Sequence, residues 1–292
     1  MAAENKKVQI ERLRQELSWA QAIVVGAGAG LSTAAGYGYG GERFQKHFGD
    51  FIERYHFRSM YEGGFYPFAT PEEQWAYWSR NIFVNRYEER QSPLYQRLLA
   101  LLSGKEFFVI TTNVDHLFQD NGFPQERLFY TQGDYGLWQC SVPCHEKTYD
   151  NEAVVRRMVA EQKAMRVPTE LVPHCPRCGE PMTMNLRIDD TFVEDEGWQR
   201  AAKRYQEFLR ANQKGRVLYW ELGVGANTPG IIKYPFWALT EENPAAVYCV
   251  MNRGEAVAPA EIAAQSILID ADIDVSLLAL QEAVEGSGKS DA

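Results

Sequence analysis

The chain has 292 residues, 45% hydrophobic and 24% charged, a composition typical of a globular protein with one large domain or two smaller ones. Its formal net charge of -9 argues against a nucleic-acid-binding protein, because such proteins carry a strong basic patch. No stretch approaches the roughly 20 apolar residues that span a bilayer, and residues 1–21 lack the apolar core of a signal peptide. We therefore expect a cytoplasmic protein with no membrane contact.

The first hundred residues carry clear signals for helices and one buried strand. An amphipathic helix is predicted within residues 1–21, with Ile10, Leu13, Leu17 and Ala20 on one side. The run AIVVGAGAG then predicts a buried strand, a tight turn and a helix that begins near Leu31. Thr70 followed by Pro71 is a helix start signal for PEEQWAYWSRNIFVNRYEER, and Ser92 followed by Pro93 is a second one.

The remaining residues alternate between strand and helix signals. EFFVITTNVD and RLFYTQGD predict two strands, and VLYWELGVG, AAVYCVMN and SILIDAD predict three more. DVSLLALQEAV predicts a closing helix, followed by a disordered tail, EGSGKSDA. Strands that alternate with helices indicate an α/β fold with a mostly parallel sheet and helices on both faces.

The turn after the first predicted strand, VVGAGAGLSTAAG, suits a dinucleotide. Glycines there let the backbone approach a pyrophosphate, and the following helix favours negative charge at its start. The spacing of Gly26, Gly28 and Gly30 nevertheless differs from G-x-G-x-x-G, and no acidic residue follows about 20 residues on. A plain tight turn is the alternative.

Four of the five cysteines form two closely spaced pairs, which are Cys140 with Cys144 and Cys175 with Cys178. Four thiolates complete the tetrahedral shell of a structural zinc ion, as in zinc ribbons. The gap between the pairs is long for a ribbon, and His145 or His174 could replace one ligand. Four reduced cysteines without a metal are the alternative.

Several motifs of the chain resemble, in their order, those of the sirtuins, which are NAD-consuming protein deacylases. They are GAGAG, STAAG, TTNVD, QG, the cysteine pairs, GVG and VMNRGE. The resemblance extends from Ala22 to Leu280 and implies a single sirtuin-type catalytic domain. It implies a Rossmann-like NAD-binding core (about 20–40, 92–139 and 186–292), a helical insertion (about 41–91) and a zinc-ribbon module (about 140–185).

Two departures from the sirtuin pattern bear on the chemistry. Gln132 stands where the deacylases keep a catalytic histidine, and YGYGGERF replaces Ile-Pro-Asp-Phe-Arg. This pattern is similar to the macrodomain-linked class M sirtuins. It implies NAD-dependent mono-ADP-ribosylation of a lipoylated carrier protein that resembles the glycine-cleavage H protein, reversed by a macrodomain ADP-ribosyl hydrolase. Because a glutamine amide cannot act as a base, we expect NAD cleavage to persist while deacylation is impaired.

The resemblance also implies which residues contact the cofactor. Those expected at the pyrophosphate are Gly26, Ala27, Gly28, Gly223, Val224 and Gly225. Those expected at the adenosine are Asn252, Arg253 and Asp272. Those that replace the cofactor loop, with unassigned roles, are Tyr39, Arg43 and Phe44. Asp115 is expected to bond the nicotinamide carboxamide.

Three residues are candidates for the catalytic step. Asn113 would orient the nicotinamide ribose, Gln132 would hold the ribose hydroxyls, and Arg187 would position the acceptor. Simpler explanations are a helix cap for Asn113, a backbone-bonded loop residue for Gln132 and a surface ion pair for Arg187. His116 is the one nearby titrating side chain that could replace the missing base, although a histidine at a helix start more often faces solvent.

Three other activities fit the same motifs. A divergent deacylase would use another group as its base. A sensor would bind NAD or ADP-ribose without cleaving it, because the loop at residues 37–44 has changed. An NAD hydrolase would pass the ADP-ribosyl group to water.

Overall fold

A six-stranded parallel sheet forms the centre of the computed structural model, which describes residues 2–88, 90–226 and 229–287. The strands of the chain are β1 (Ala22–Ala27), β2 (Phe107–Thr111), β3 (Leu128–Tyr130), β4 (Gly133–Cys140), β5 (Tyr149–Asp150), β6 (Met182–Leu186), β7 (Val217–Leu222), β8 (Val247–Met251) and β9 (Ser266–Ile269). The large sheet has the order β3-β2-β1-β7-β8-β9. The direction of strand addition therefore reverses between β1 and β7, where open α/β sheets bind ligands.

Eleven α-helices lie within the described residues. They are α1 (Ala2–Trp19), α2 (Ala29–Ala34), α3 (Gly41–Tyr55), α4 (Met60–Gly64), α5 (Pro71–Ile82), α6 (Pro93–Leu101), α7 (Leu117–Asp120), α8 (Glu152–Glu161), α9 (Glu196–Asn212), α10 (Lys233–Glu242) and α11 (Ile273–Ser287). A π-helix (Phe83–Tyr87) continues α5, and 3₁₀ turns cover Gln125–Arg127, Thr169–Leu171 and Ala260–Gln265. None of the helices in the described ranges combines the length and apolarity that crossing a bilayer requires.

Both faces of the large sheet are covered by helices, as the sequence predicts. Ile23 and Val25 of β1 belong to a core shared with residues of α1, α6 and α11. Val24, between them, belongs to a second core with residues of α9 and α10. Alternate residues of one strand therefore enter two different cores, which explains why the strand is apolar throughout.

The helical insertion and the cysteine-containing module share a third core. The short antiparallel sheet β5-β4-β6 packs against α5, where the rings of Trp75 and Trp138 lie 5.0 Å apart at their centroids. Cys140 and Cys175 are buried in the same cluster as Phe48 of α3. Anything that disrupts the cysteines should therefore also loosen the helical insertion.

Local signals in the sequence set several element boundaries. The Thr70 hydroxyl accepts a hydrogen bond from the Glu73 amide, which confirms the predicted cap of α5. The α-helix stops at Ile82, earlier than predicted. Helix α3 was not predicted, since its cap is Gly40 without a side-chain bond. The tail predicted as disordered begins inside α11, and residues 288–292 lie outside the described ranges.

Candidate active site

Two glycine-containing turns meet at the carboxyl ends of β1 and β7. The Gly28 amide donates to the Leu222 carbonyl at 3.0 Å, and the Gly30 amide donates to the Gly223 carbonyl at 2.9 Å. A Cβ at Gly28 would lie 2.7 Å from the Gly223 oxygen. Gly223 itself has a φ of 63°, which favours glycine. The two turns therefore touch backbone to backbone, at the place predicted for the pyrophosphate.

The neighbouring glycine-turn residues differ in how open they are. Gly26 lies inside β1, where an added Cβ would come within 2.6 Å of the Phe236 ring, so helix packing by itself accounts for this glycine. Ala27 ends β1 and is buried. Val224 is fully buried in the core, whereas Gly225 is exposed, and a Cβ added there would have no atom within 4 Å. Among these residues, Gly225 is the one open to a ligand on its Cα side.

A buried polar network joins the loop after β2 to the glycine turn. The Asn113 amide nitrogen donates to the Gly28 carbonyl at 3.0 Å and to the Ser32 hydroxyl at 3.1 Å. Ser32 in turn donates to Asp115 at 2.6 Å and lies 3.1 Å from the Tyr95 hydroxyl. All four side chains of the network are buried. The network fixes the positions of both the Asn113 and the Asp115 side chains.

Burial dominates the ionisation of Asp115. Desolvation raises the pKa of this carboxyl, although hydrogen bonds from Ser32 and the Leu117 amide and the charge of Arg90 act in the opposite direction. Arg90 also donates to the Asp115 carbonyl at 2.6 Å. A carboxyl held in this way can accept a hydrogen bond from a carboxamide, which is the role predicted for it.

Gln132 lies in the turn between β3 and β4, half-buried, at the same edge of the sheet. Its carbonyl accepts a hydrogen bond from the Arg187 amide at 3.0 Å. Gly133 follows with a φ of 95°, and a Cβ there would lie 1.8 Å from the Asn185 carbonyl oxygen. The Gln132 side-chain amide makes no hydrogen bond to any other residue that the structure describes. Its backbone is therefore held in place while its amide stays available to a ligand.

Arg187 is exposed and contacts both a carboxylate and two aromatic rings. Its guanidinium forms an ion pair with Glu194 and lies over the rings of Phe192 and Trp198, with centroid distances of 4.4 and 5.4 Å. These contacts hold the segment after β6 against the turn that carries Gln132. Arg187 thus has a structural role in addition to the acceptor role predicted from the sequence.

The loop that replaces the usual cofactor loop turns toward the helical insertion. Arg43 donates to the Asn85 side chain at 2.8 Å and to the Val84 carbonyl at 2.8 Å. Phe44 is buried in the third core. Tyr39 accepts a hydrogen bond from the Tyr135 hydroxyl at 3.2 Å, and burial raises its pKa well above the ordinary value. Tyr39 therefore connects this loop to Tyr135, which lies three residues after Gln132 in the sequence.

The residues predicted at the adenosine lie after β8 and β9. Asn252 donates to the Val224 carbonyl at 3.1 Å, which connects it to the turn after β7. Arg253 and Asp272 form an ion pair at 2.8 Å that is largely exposed. Asp272 also accepts a hydrogen bond from the Val275 amide at the start of α11. The structure therefore brings these three residues to the edge of the sheet that carries the glycine turns.

The four cysteines converge as predicted. The sulfur atoms of Cys140, Cys144, Cys175 and Cys178 all lie within 4.8 Å of one another. Two of the pairs, Cys140 with Cys178 and Cys144 with Cys175, have sulfur atoms 3.6 Å apart. A tetrahedron with zinc–sulfur bonds of about 2.3 Å has sulfur–sulfur edges of about 3.8 Å. The four thiolates therefore fit a structural zinc ion.

Several residues of the site were not predicted from the sequence. Ser32 lies in the STAAG stretch without an assigned role, and Tyr95 carries no signal beyond an apolar helix pattern. Asp134 follows the QG motif and pairs with His116. Only the folded structure brings these side chains together, since the bonded partners lie 18 to 83 residues apart.

Solved structures place this architecture among the sirtuins. A Sir2 structure with a bound peptide and NAD+ matches with a TM-score of 0.58 and 22% identity, over 94% of this chain and 98% of that one. At this identity the match shows the fold alone. No family model matches the sequence. The class defined by the fold is thus a sirtuin-type domain, and solved structures of this fold include complexes with NAD.

Two curated relatives make the family more specific. A Staphylococcus aureus protein named protein ADP-ribosyltransferase is 39% identical over 271 residues, which cover 92% of this chain and 86% of the relative. A Fusarium oxysporum protein named probable bifunctional ADP-ribose hydrolase/ADP-ribosyltransferase is 33% identical over 234 residues. That match covers 76% of this chain and 38% of the longer fungal protein. The chain belongs to the sirtuin-type, NAD-dependent protein ADP-ribosyltransferases.

Proposed function

We propose that this chain transfers ADP-ribose from NAD to a side chain of a lipoylated carrier protein that resembles the glycine-cleavage H protein. We further propose that a macrodomain ADP-ribosyl hydrolase, acting in the same cytoplasm, removes the modification. The observation that carries the proposal is Gln132, whose side-chain amide has no hydrogen-bond partner among the described residues and stands where deacylating sirtuins place a histidine.

The first step is the loss of nicotinamide from NAD. Asp115 is buried and accepts the carboxamide, while Asn113 is held by Gly28 and Ser32 and orients the ribose. A rigid network of this kind lowers the barrier by positioning the reacting groups. Gln132 adds hydrogen bonds to the ribose hydroxyls without taking a proton from them.

The missing base decides the fate of the activated ribose. Deacylation requires a base that removes a proton from a ribose hydroxyl, a contribution of roughly 10²–10⁴-fold. A glutamine cannot supply it, so an acyl group on a substrate lysine is not released efficiently. A nucleophile from a bound protein can still attack the anomeric carbon, and transfer becomes the main outcome.

The segment after β6 lies beside the turn that carries Gln132, because the Arg187 amide donates to the Gln132 carbonyl. Arg187, with Glu194 and the exposed Ile188, stands beside the turn that carries Gln132. We assign this segment to contact with the carrier protein. The pairing of the transferase with a hydrolase is supported by the fungal relative, whose printed name joins both activities in one chain.

The experiment that tests the proposal uses purified chain, NAD and an H-like carrier prepared with and without its lipoyl group. Intact-mass spectrometry should show ADP-ribose on the lipoylated carrier, and a macrodomain hydrolase should remove it. Asn113→Ala should abolish the modification, while a variant far from the cleft, Gly49→Ala, should not. A lipoylated carrier that stays unmodified while acetylated peptides lose their acetyl groups would refute the proposal.

A sensor without catalysis is favoured by one observation. The guanidinium of Arg43 is bonded to Asn85, to the Val84 carbonyl and to the Gly38 carbonyl, so its donors are already used within the protein. Release of nicotinamide from NAD, measured by chromatography and lost in Asn113→Ala with NAD binding retained, would rule out the sensor.

A further inference from the structure

A histidine–carboxylate pair, His116 with Asp134, joins the loop after β2 to the start of β4, and the reaction described above does not use it. His116 Nδ1 lies 2.5 Å from Asp134 Oδ2. His116 directly follows Asp115, and Asp134 lies two residues after Gln132. The Tyr135 amide also donates to the Val114 carbonyl at 2.9 Å. The pair therefore connects the two segments that carry the predicted catalytic residues.

Asp134 is built to remain ionised. Burial alone would raise its pKa, but the hydrogen bond and charge of His116, the charge of Arg86 and the Gly136 amide together lower it to about 2. Arg86 Nε lies 2.9 Å and the Gly136 amide 2.6 Å from Oδ1. When the imidazole is neutral, a proton on Nδ1 can be donated to this carboxylate, and the lone pair then lies on Nε2.

The His116 imidazole is more exposed to solvent than the side chains of Asn113 and Asp115, which precede it in the sequence. The His116 side chain is 23% exposed, whereas Asn113 and Asp115 are buried. Its Nε2 makes no hydrogen bond to another residue in the described parts of the chain. His116 has a φ of 68°, a left-handed conformation that is uncommon for residues other than glycine.

We propose that His116 is the general base that accepts the proton of the incoming acceptor nucleophile, with Asp134 as its positioning residue. This inference rests on the NAD cleavage of the proposed function. The bond between the anomeric carbon and nicotinamide breaks, and its electron pair leaves with nicotinamide. The acceptor atom forms the new bond to that carbon, and its proton passes to His116 Nε2. The Asp134 carboxylate stabilises the resulting imidazolium.

This assignment separates two roles that a single histidine combines in deacylases. Gln132 contacts the ribose hydroxyls and leaves them protonated. His116, whose side chain is partly exposed, accepts the proton of the acceptor group. The charged groups around His116 are Asp134, its partner Arg86 and the neighbouring Asp115.

The test compares two small nucleophiles that differ in one respect. Methanol must lose a proton when it attacks the ribose, whereas azide attacks as an anion and carries no proton. Wild type and His116→Asn are incubated with NAD and either nucleophile, and methyl and azido ADP-ribose are quantified by mass spectrometry. Asparagine is chosen because it tolerates the left-handed backbone at this position.

We expect His116→Asn to lower the methanol product by roughly 10²-fold or more and to leave the azide product nearly unchanged. Asp134→Asn should show a smaller loss with the same preference for azide. A loss that is equal for both nucleophiles would show a purely structural role and overturn the proposal, and so would no loss for either.

The experiment also distinguishes failure of this inference from failure of the proposed function. If wild type releases nicotinamide but His116→Asn forms both products at the wild-type rate, the assignment of the base is wrong and NAD cleavage stands. If wild type releases no nicotinamide at all, the proposed function fails, and the role of His116 falls with it.

Discussion

Adding one methyl group at Gly28 tests whether the two glycine turns are packed as the structure shows. The new Cβ would lie 2.7 Å from both the Gly223 oxygen and the Val224 Cα. Both are backbone atoms, so no side-chain rotation relieves the contact. The loop is also held by the hydrogen bond from Asn252 to the Val224 carbonyl. Gly28→Ala must therefore push the two turns apart.

The size of the effect follows from this displacement. Reaching an ordinary contact distance of 3.4 Å requires a shift of about 0.7 Å in the backbone of the loop after β7. Overpacking of this kind costs about 1–3 kcal/mol, so we expect the free energy of unfolding to fall by about 2 kcal/mol. The same shift distorts the predicted pyrophosphate site, and the Kd for NAD should rise at least about tenfold, or about 1.4 kcal/mol.

Urea unfolding followed by tryptophan fluorescence and titration calorimetry with NAD give the two quantities. The matched control is Gly49→Ala, the same chemical change at an exposed position of α3 with no atom within 4 Å. This control should keep NAD affinity and gain up to about 1 kcal/mol of stability from helix propensity. A Gly28→Ala protein as stable as the wild type, with unchanged NAD affinity, would refute the packing of the two turns.

Three further predictions concern stability and metal binding. Lys233→Met leaves the fully buried Glu221 carboxylate without its cation and should lower the free energy of unfolding in urea by about 3–5 kcal/mol. Adding Glu221→Gln to this variant should restore most of the lost stability. A Lys233→Met protein as stable as the wild type would contradict the buried ion pair. The protein should contain one zinc ion per chain by elemental analysis, and Cys175→Ser should lower that content. Cys175 shares a core with Trp75, so the rate of amide hydrogen exchange in the Cys175→Ser variant should rise in α5 and stay slow in β1. A change in exchange confined to the cysteine loops would contradict the shared core. The pKa of Asp134 is lowered from 3.8 to about 2, so its ionised form stabilises the fold above pH 3.8, and this contribution is lost as the pH falls through about 2. The difference in stability between wild type and Asp134→Asn should accordingly shrink over that range, and a constant difference would count against the carboxylate.

The parallel sheet and its central cleft could be predicted from the sequence because their signals are local. Buried strands appear as continuous apolar runs, and Thr70 and Ser92 mark helix starts by their own hydrogen bonds. Glycines that follow a strand indicate a close backbone approach, which Gly28 and Gly223 then show. Each of these features can be recognised from a few consecutive residues, without knowing which distant residues they contact.

The rest depends on contacts between distant residues. Helix α3 lacks a side-chain cap and is kinked at Phe48, so its pattern is weak even though its aromatic face is buried. Strand β4 begins at Gly133, contains Gly136 and has an irregular register with β6, which hides the alternation of a strand. The bonds of Ser32 to Asp115 and of His116 to Asp134 exist only after the loops of β1, β2 and β3 have assembled.

The central claim is that Gln132 directs the activated ribose to a protein acceptor. The most direct measurement compares wild type and Gln132→His in one reaction that contains NAD, the lipoylated carrier and an acetylated peptide, with both products followed by mass spectrometry. The account predicts that wild type modifies the carrier and leaves the peptide acetylated, and that Gln132→His gains deacetylation. A wild-type protein that deacetylates the peptide as fast as Gln132→His and leaves the carrier unmodified would contradict it.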